Sequence, residues 1–393
     1  MRPRTLALAL LVACNSAHAI TGDAPVSGDA YQPIDATLTI DGLAIGPGSA
    51  AMTWPDPISL QVLAHYTDDA VLDVTPFSTF TTGAPEVATA SQGQVQPRGP
   101  GAATITASYQ GVTATMMVTV AVPTLAVATI DGVDLFDASA QGSATPRSSL
   151  RGAATTLQHV VGVAALGGNL FVADAGADAI DVWPVNASGN TPPARVITTG
   201  FVPVSIAAAG SAIYVGASDG VRVFDATASG PATPTQTLAG PATTITSGAG
   251  IAVAQNRLYV VNTTGSVAVF PSTATGNVAP TSVLAGPATD LSNPVGIAVG
   301  FSLVLVTDDV PVGQLEIYFT SQTGDVVPAN ELSGPQAMLG SPTSTVLTDE
   351  FLFVGSPSTS TIQIFPTLSV GGALQPSATI TGEPVQAMTL FGP

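Results

Sequence analysis

Six short strands, each closing on an aromatic residue, recur through the chain: VDLF (133–136), IDVW (180–183), VRVF (221–224), VAVF (267–270), LEIY (315–318) and IQIF (362–365). Their aromatics are spaced by 47, 41, 46, 48 and 47 residues. A second strand type precedes each of the last five, starting at Leu170, Ile213, Leu258, Leu303 and Leu352. A third reads GVAAL, VSIAAA, GIAVA, GIAVG and STVLT, and a fourth ends in ARVIT, QTLAG, SVLAG, NELSG and SATITG. Each repeat is too small to bury its own apolar faces, so it must stack on its neighbours. Four short strands every 41–48 residues is the pattern of a β-propeller blade.

Five complete blades run from about Val161 to Gly382. The strands left over are TLAVAT (from Thr124), VDLF and SSLRG at the start and QAMTLF (386–391) at the end. Together they predict a sixth blade built from both ends of residues 123–393. The expected fold is all-β, with a six-bladed propeller closed by this shared blade, which removes an open edge. Segments such as NLFVADAGADAIDVWPVNASGNTPPARVI and AVFPSTATGNVAPTSVLAGPATDLSNPVGIAV resemble the NHL-type propeller repeats of bacterial surface proteins. That resemblance implies architecture and leaves function open, since propellers host enzymes, lectins and scaffolds alike.

Residues 34–122 alternate with period two. Leu60, Val62, Ala64 and Tyr66 share one face, and Gln61, His65 and Thr67 share the other. Val112, Ala114, Met116, Val118 and Val120 alternate mostly with Thr after a Gln110-Gly111 turn. A β-sandwich of about 90 residues is expected. Tyr66, Asp68, Asp73-Val74-Thr75, Pro85-Glu86-Val87-Ala88 and Gly99-Pro100-Gly101 resemble the bacterial Ig-like group 2 domain, with Asp69 where glycine is usual. Such domains are commonly spacers or adhesion modules on bacterial surfaces.

The N-terminus reads as an export signal. Arg2 and Arg4 precede the apolar stretch 6–13, whose eight residues would reach about 12 Å as a helix, well short of the roughly 30 Å hydrocarbon core. Leu11-Val12-Ala13-Cys14 resembles a lipobox, with cleavage before Cys14, the only cysteine, and lipid attached to it. Cleavage after Ala17-His18-Ala19 is the alternative. Residues 1–13 are thus expected to be a signal peptide and 14–33 a flexible spacer. Asn15 after the cysteine favours the outer membrane; a periplasmic or secreted protein is the alternative.

The chain carries 8 basic residues against 26 acidic ones, a net charge of −18. Without Arg2 and Arg4 the mature chain stands at −20. A surface this acidic excludes binding to the nucleic-acid backbone. It leaves membrane attachment to an N-terminal lipid alone.

Catalytic signals are sparse. His18, His65 and His159 are the only histidines, and no G-x-S-x-G elbow or G-x-x-x-x-G-K-[ST] loop is present. His65 falls on the solvated face of its strand, and His159 is expected on a rim. Propeller lactonases hold a divalent cation at the top of the channel. Candidates for such a top-face ligand site are His159, Asn293, Asp308, Asp309 and Glu383. A Ca²⁺ site wants six to eight oxygens, usually with several carboxylates, so these acids, with the run 178–181, are expected to cap turns and form a solvated rim. No catalytic residue, metal or cofactor is expected. The function expected is that of a cell-surface binding or scaffold lipoprotein, a monomer with an Ig-like stalk and a propeller head that takes a protein or glycan. A metal-dependent propeller hydrolase and a purely structural envelope protein are the alternatives.

Overall fold

The computed structural model describes residues 39–310, 312–367 and 374–392. The signal, Cys14 and the spacer therefore lie outside the described residues. The fold is all-β, with short 3₁₀ turns as its only helical elements among those residues.

The N-terminal part packs three small sheets. Ile40–Gly46, Gln61–Tyr66 and Val71–Asp73 form one; Ser49–Thr53, Val112–Ala121, Gly101–Tyr109 and Thr79–Thr82 form the second; Ile58–Ser59, Gln94–Pro97 and Ala88–Ser91 form the third. Alternation sets the faces: Val62, Ala64, Met116, Val118 and Val120 are buried, while His65, Thr113, Thr115 and Thr119 are exposed. Gln110 (φ 47°) and Gly111 (φ 83°) supply the two positive-φ residues that a tight hairpin needs. Tyr109 and Val112 pair across it.

After Val122 the chain builds six antiparallel meanders. The first joins Thr124–Thr129, Gly132–Asp137 and Ser148–Arg151 to Ala387–Phe391, which pairs with Thr124–Thr129 from far along the chain. The second contains Val160–Leu166, Asn169–Asp174, Ala179–Pro184 and Arg195–Thr198. The third contains Ser205–Ala209, Ala212–Ala217, Gly220–Asp225 and Gln236–Ala239. The fourth contains Gly250–Ala254, Arg257–Asn262, Ser266–Pro271 and Ser282–Ala285. The fifth contains Pro294–Gly300, Leu303–Asp308, Gln314–Phe319 and Asn330–Leu332. The sixth contains Ser344–Leu347, Phe351–Ser356, Thr361–Pro366 and Ala378–Thr381. Each inner strand lies against the next, and Ala387–Phe391 lies against both Ser344–Leu347 and Val160–Leu166, so the inner strands form a ring. They approach closely: a Cβ at Gly250 would sit 2.7 Å from the Val295 carbonyl oxygen.

The repeating aromatics fill the spaces between sheets. In the third strand of each meander, alternate residues face opposite neighbours. Leu315 and Ile317 pack towards the sixth sheet and Tyr318 towards the fourth. Trp183, Phe224, Phe270, Tyr318 and Phe365 are fully buried.

A glycine six residues after the aromatic ties each of five sheets to the preceding one. The N–H groups of Gly142, Gly189, Gly276 and Gly324 each donate at 2.6 Å to an outer-strand carbonyl, of Thr379, Ser149, Thr237 and Val283 respectively. Gly230 pairs in parallel with Ile197. All five have φ between +65° and +81°, a region that other residues enter at a cost. The next residue reinforces three of these ties: Asn190, Asn277 and Asp325 accept the N–H of Ala154, Ala242 and Ala288 at 2.6–2.7 Å.

Because the meanders alternate in direction, the ends of their second strands share one face of the ring with the segments that lead into the inner strands. This is the loop face. The starts of the second strands lie on the opposite face. There Trp54 of the sandwich stacks on Phe351, with ring centroids 5.0 Å apart and planes 12° from parallel. One apolar cluster runs without a break from Val62 and Val118 to Leu125, Phe353 and Ile364, joining the sandwich core to the ring.

Candidate functional site

Polar chemistry concentrates on the loop face in two layers. The outer layer ends the second strands. Asp174 is fully buried, and its carboxylate accepts the backbone N–H groups of Gln158 and His159 at 2.8 Å and of Gly176 at 2.9 Å. Asp308 repeats the arrangement, accepting Ser292 and Asn293 at 2.6 Å. Asn262 does so with its amide oxygen on Thr246 N–H at 2.8 Å. Each clamp fixes the segment leading into an inner strand by satisfying donors that the sheets leave over.

The inner layer belongs to the third strands, at the second letter of VDLF, IDVW, VRVF, LEIY and IQIF. Asp134, Asp181, Glu316 and Gln363 are at most 4 % exposed. Glu316 is the extreme case. It is fully buried, and neither carboxyl oxygen has a hydrogen-bond partner among the described residues. Burial pushes its pKa up to about 9, and the charges of Asp308 and Asp290 add to the shift. Burial, then Asp174, raises Asp181 to about 7. Burial raises Asp308 as well, against the two backbone N–H groups that favour its charged form.

Arg222 occupies the same position in the third sheet. It pairs with Asp219, through which Asp219 is held below the usual carboxylate range. Its guanidinium lies 4.7 Å from the centre of the Phe201 ring. In the first sheet Arg151 serves several acceptors. It pairs with Asp131, with Asp134 at 2.7 Å, and donates to Thr129 at 3.0 Å. Glu383 joins this group. Burial, the Asp134 charge and a hydrogen bond to Asp134 raise it to about 7, and Arg151 offsets part of the shift.

These positions change the picture of the five top-face candidates. His159 is exposed on the rim, held through its backbone N–H by Asp174. Asn293 donates its side-chain amide to the Asp309 carbonyl at 3.3 Å, beside Asp308. Glu383 instead faces Asp134 and Arg151. Among the described residues, no group of three or more His, Cys, Asp or Glu side chains could hold a metal ion. The expectation of a solvated acidic rim holds for Asp178, which is exposed, but needs correction for Asp181 and Asp308, which are buried, as is Asp174 beside them. The inner layer had a sequence signal that parity hides: one polar letter in an otherwise apolar strand that is covered on both faces.

The inner strands enclose a channel with about 110 Å³ of free volume, lined by Gly162, Ser205, Gly250, Gly296, Thr343 and Gln386 among others. The rim above it exposes apolar side chains beside its acids: Ile130 (52 %), Val202 (55 %), Val312 (56 %) and Met338 (55 %).

No protein-family model matches the chain, and no curated protein matches it. Among solved structures it is similar to a chain in the crystal structure of a nidogen/laminin complex, at 15 % identity over 68 % of this chain and 98 % of that one, with a TM-score of 0.49. It is also similar to the WD40 beta propeller domain of Doa1, at 11 % identity over 66 % of this chain and 79 % of that one, with a TM-score of 0.46. The computationally designed Ika8 protein aligns over 88 % of both chains at 12 % identity, with a TM-score of 0.38.

Proposed function

We propose that this chain is an exported cell-surface binding protein, with a six-bladed, NHL-type propeller as recognition head on an Ig-like stalk, anchored through lipid on Cys14. The first meander, made of strands from both ends of the ring segment, is the shared blade of that head. One observation carries the reading. The sandwich packs against Phe351 at the start of a six-residue strand, and the loop face begins at its other end, Ser356, roughly 17 Å away. A stalk on one face leaves the other free, and that free face bears the exposed residues Val202, Met338, Asp178 and Asp219 on interlocked sheets.

The test is affinity capture by the full chain from chemically cross-linked envelopes of the producing cells. Asp178→Lys with Asp219→Lys changes the loop face, and Phe77→Ser on the sandwich serves as control. The expected result is one dominant partner, recovered at least tenfold less by the loop-face variant and equally by the control. Recovery that ignores the loop face, or that falls with Phe77→Ser, overturns the reading. The intact mass of the N-terminal peptide from the membrane fraction tests the anchor: an acylated Cys14 is expected, and a free N-terminus at Ile20 refutes it.

A further inference from the structure

Two of the four exposed apolar rim residues, Val312 and Met338, border the gap between the fifth and sixth sheets. A pocket of about 360 Å³ opens there, within the range of small ligand clefts, about 300–1,000 Å³. Val312, Pro335 and Met338 form its apolar wall, and Thr359, Thr361 and Gln363 its polar one. The repeats themselves supply the control for what the fold requires. Met338 (φ 56°) takes a left-handed conformation shared by Thr156 (62°), Thr244 (58°) and Asp290 (60°) at the same step of their repeats. Each is followed by a buried or partly buried aliphatic residue: Leu339, Leu157, Ile245 and Leu291 respectively. Polar residues therefore satisfy this position wherever else it occurs, and the fold does not call for an exposed methionine. Val312 is apolar in a turn where three other sheets carry Asp178, Asp219 or Thr264, and only the first sheet, with Ile130, places an exposed apolar residue at the same step. The backbone beneath is fixed: buried Gln363 donates its amide to the Met338 carbonyl at 2.8 Å.

Charge around the pocket has one sign. On one flank Asp309 is tied through its N–H to the Asn293 carbonyl, with exposed Asp290 in the same leading segment. On the other, the Glu383 backbone N–H donates to the Ser360 carbonyl, while its carboxyl turns away to Asp134 and Arg151, so the acidic charge lies on the Asp309 side. Among the described residues, no basic side chain lines the pocket. The ring's loop-face arginines, Arg151 and Arg222, are occupied by Asp131, Asp134 and Asp219.

We propose that this pocket takes an aliphatic side chain of a protein partner whose flanking residues are basic. The inference rests on the recognition-head reading and names the partner chemistry of that head. The apolar wall anchors one side chain, and the acidic flank at Asp309 favours a cationic neighbour and disfavours an anionic one.

The test uses the full chain labelled with ¹³C-methyl methionine and nine-residue synthetic peptides. One carries a central leucine between arginines, one a central leucine between glutamates, and one a central glycine between arginines. The expected result is a saturable shift of the Met338 methyl signal with the first peptide only. Met117, exposed on the sandwich, stays unmoved as internal reference. Binding weakens at least tenfold in Met338→Thr with Val312→Ser, and several-fold between 0.05 and 0.5 M salt as charge is screened. Threonine already serves at two equivalent positions, so an unchanged melting curve is expected to show that the variant is folded. No Met338 shift at millimolar arginine–leucine peptide overturns the proposal, as does an equal shift with the glutamate-flanked peptide. A shift with maltohexaose alone overturns it in favour of a glycan. If the captured envelope partner is unaffected by Met338→Thr with Val312→Ser but is lost with Asp178→Lys and Asp219→Lys, the pocket proposal fails while the recognition head stands.

Discussion

Glu316 should make the ring lose stability as pH rises, and Glu316→Gln should abolish that loss. The unfolded chain releases this proton near pH 4.5, whereas the fold keeps it to about pH 9. Between those values the unfolded state binds fewer protons, so stability falls with rising pH. One pKa unit corresponds to about 1.4 kcal/mol, so the penalty is below about 1 kcal/mol at pH 5 and reaches about 3 kcal/mol at pH 7. Glutamine keeps the shape and cannot ionise. Its own amide is poorly satisfied at a site where the carboxyl oxygens have no partner, but that cost does not depend on pH. The assay is urea denaturation of both proteins at pH 5, 6, 7 and 8, followed by fluorescence of Trp54 and Trp183. The difference in unfolding free energy should move in favour of Glu316→Gln by about 2–3 kcal/mol between pH 5 and 7. Asp181 and Glu383 titrate in both proteins and cancel. A difference that stays flat from pH 5 to 8 would show that Glu316 is not held neutral in the fold, and the burial argument would fail.

Asp174→Ala leaves three backbone N–H groups without their acceptor, and should cost about 3–5 kcal/mol in the same denaturation experiment. A cost under about 1 kcal/mol would mean that water replaces the carboxylate. Trp54→Ala removes the stack on Phe351 and should cost about 2 kcal/mol. It should also speed limited proteolysis near Val122 before the ring itself is cut. Simultaneous cleavage of both parts would contradict a separable contact.

The repeating strands were legible because their physics is local. Alternation placed Val62, Ala64, Met116, Val118 and Val120 inward, and the aromatics from Trp183 to Phe365 marked a fixed step of each meander. The pairing of Ala387–Phe391 with Thr124–Thr129 followed from counting which strand types were left unmatched. The polar inner layer was harder to read. Parity treats a polar letter as a solvent-facing one, which holds for Thr113 and Thr115 on a sheet with one wet face. It fails for Asp181 and Glu316, whose strands are covered on both sides. In sequence, Glu383 groups with Asp308 because both belong to segments of the loop face. Only the three-dimensional arrangement shows that Glu383 faces Arg151, which no spacing along the chain encodes. The tie glycines were visible as a constant offset of six from each aromatic, yet a glycine in a loop reads equally well as a simple turn.

The pairing of Thr124–Thr129 with Ala387–Phe391 also sets an order of events during synthesis. The first three strands of that sheet are complete once Arg151 has left the ribosome, but their inner partner begins 236 residues later. At about 5–20 residues per second, that is an interval of about 10–50 s. Throughout it, Thr124–Thr129 presents an open row of backbone donors and acceptors, next to sheets that are already able to fold. The arrival of Ala387–Phe391 is therefore what ends the nascent chain's exposure to strand-by-strand association with its neighbours.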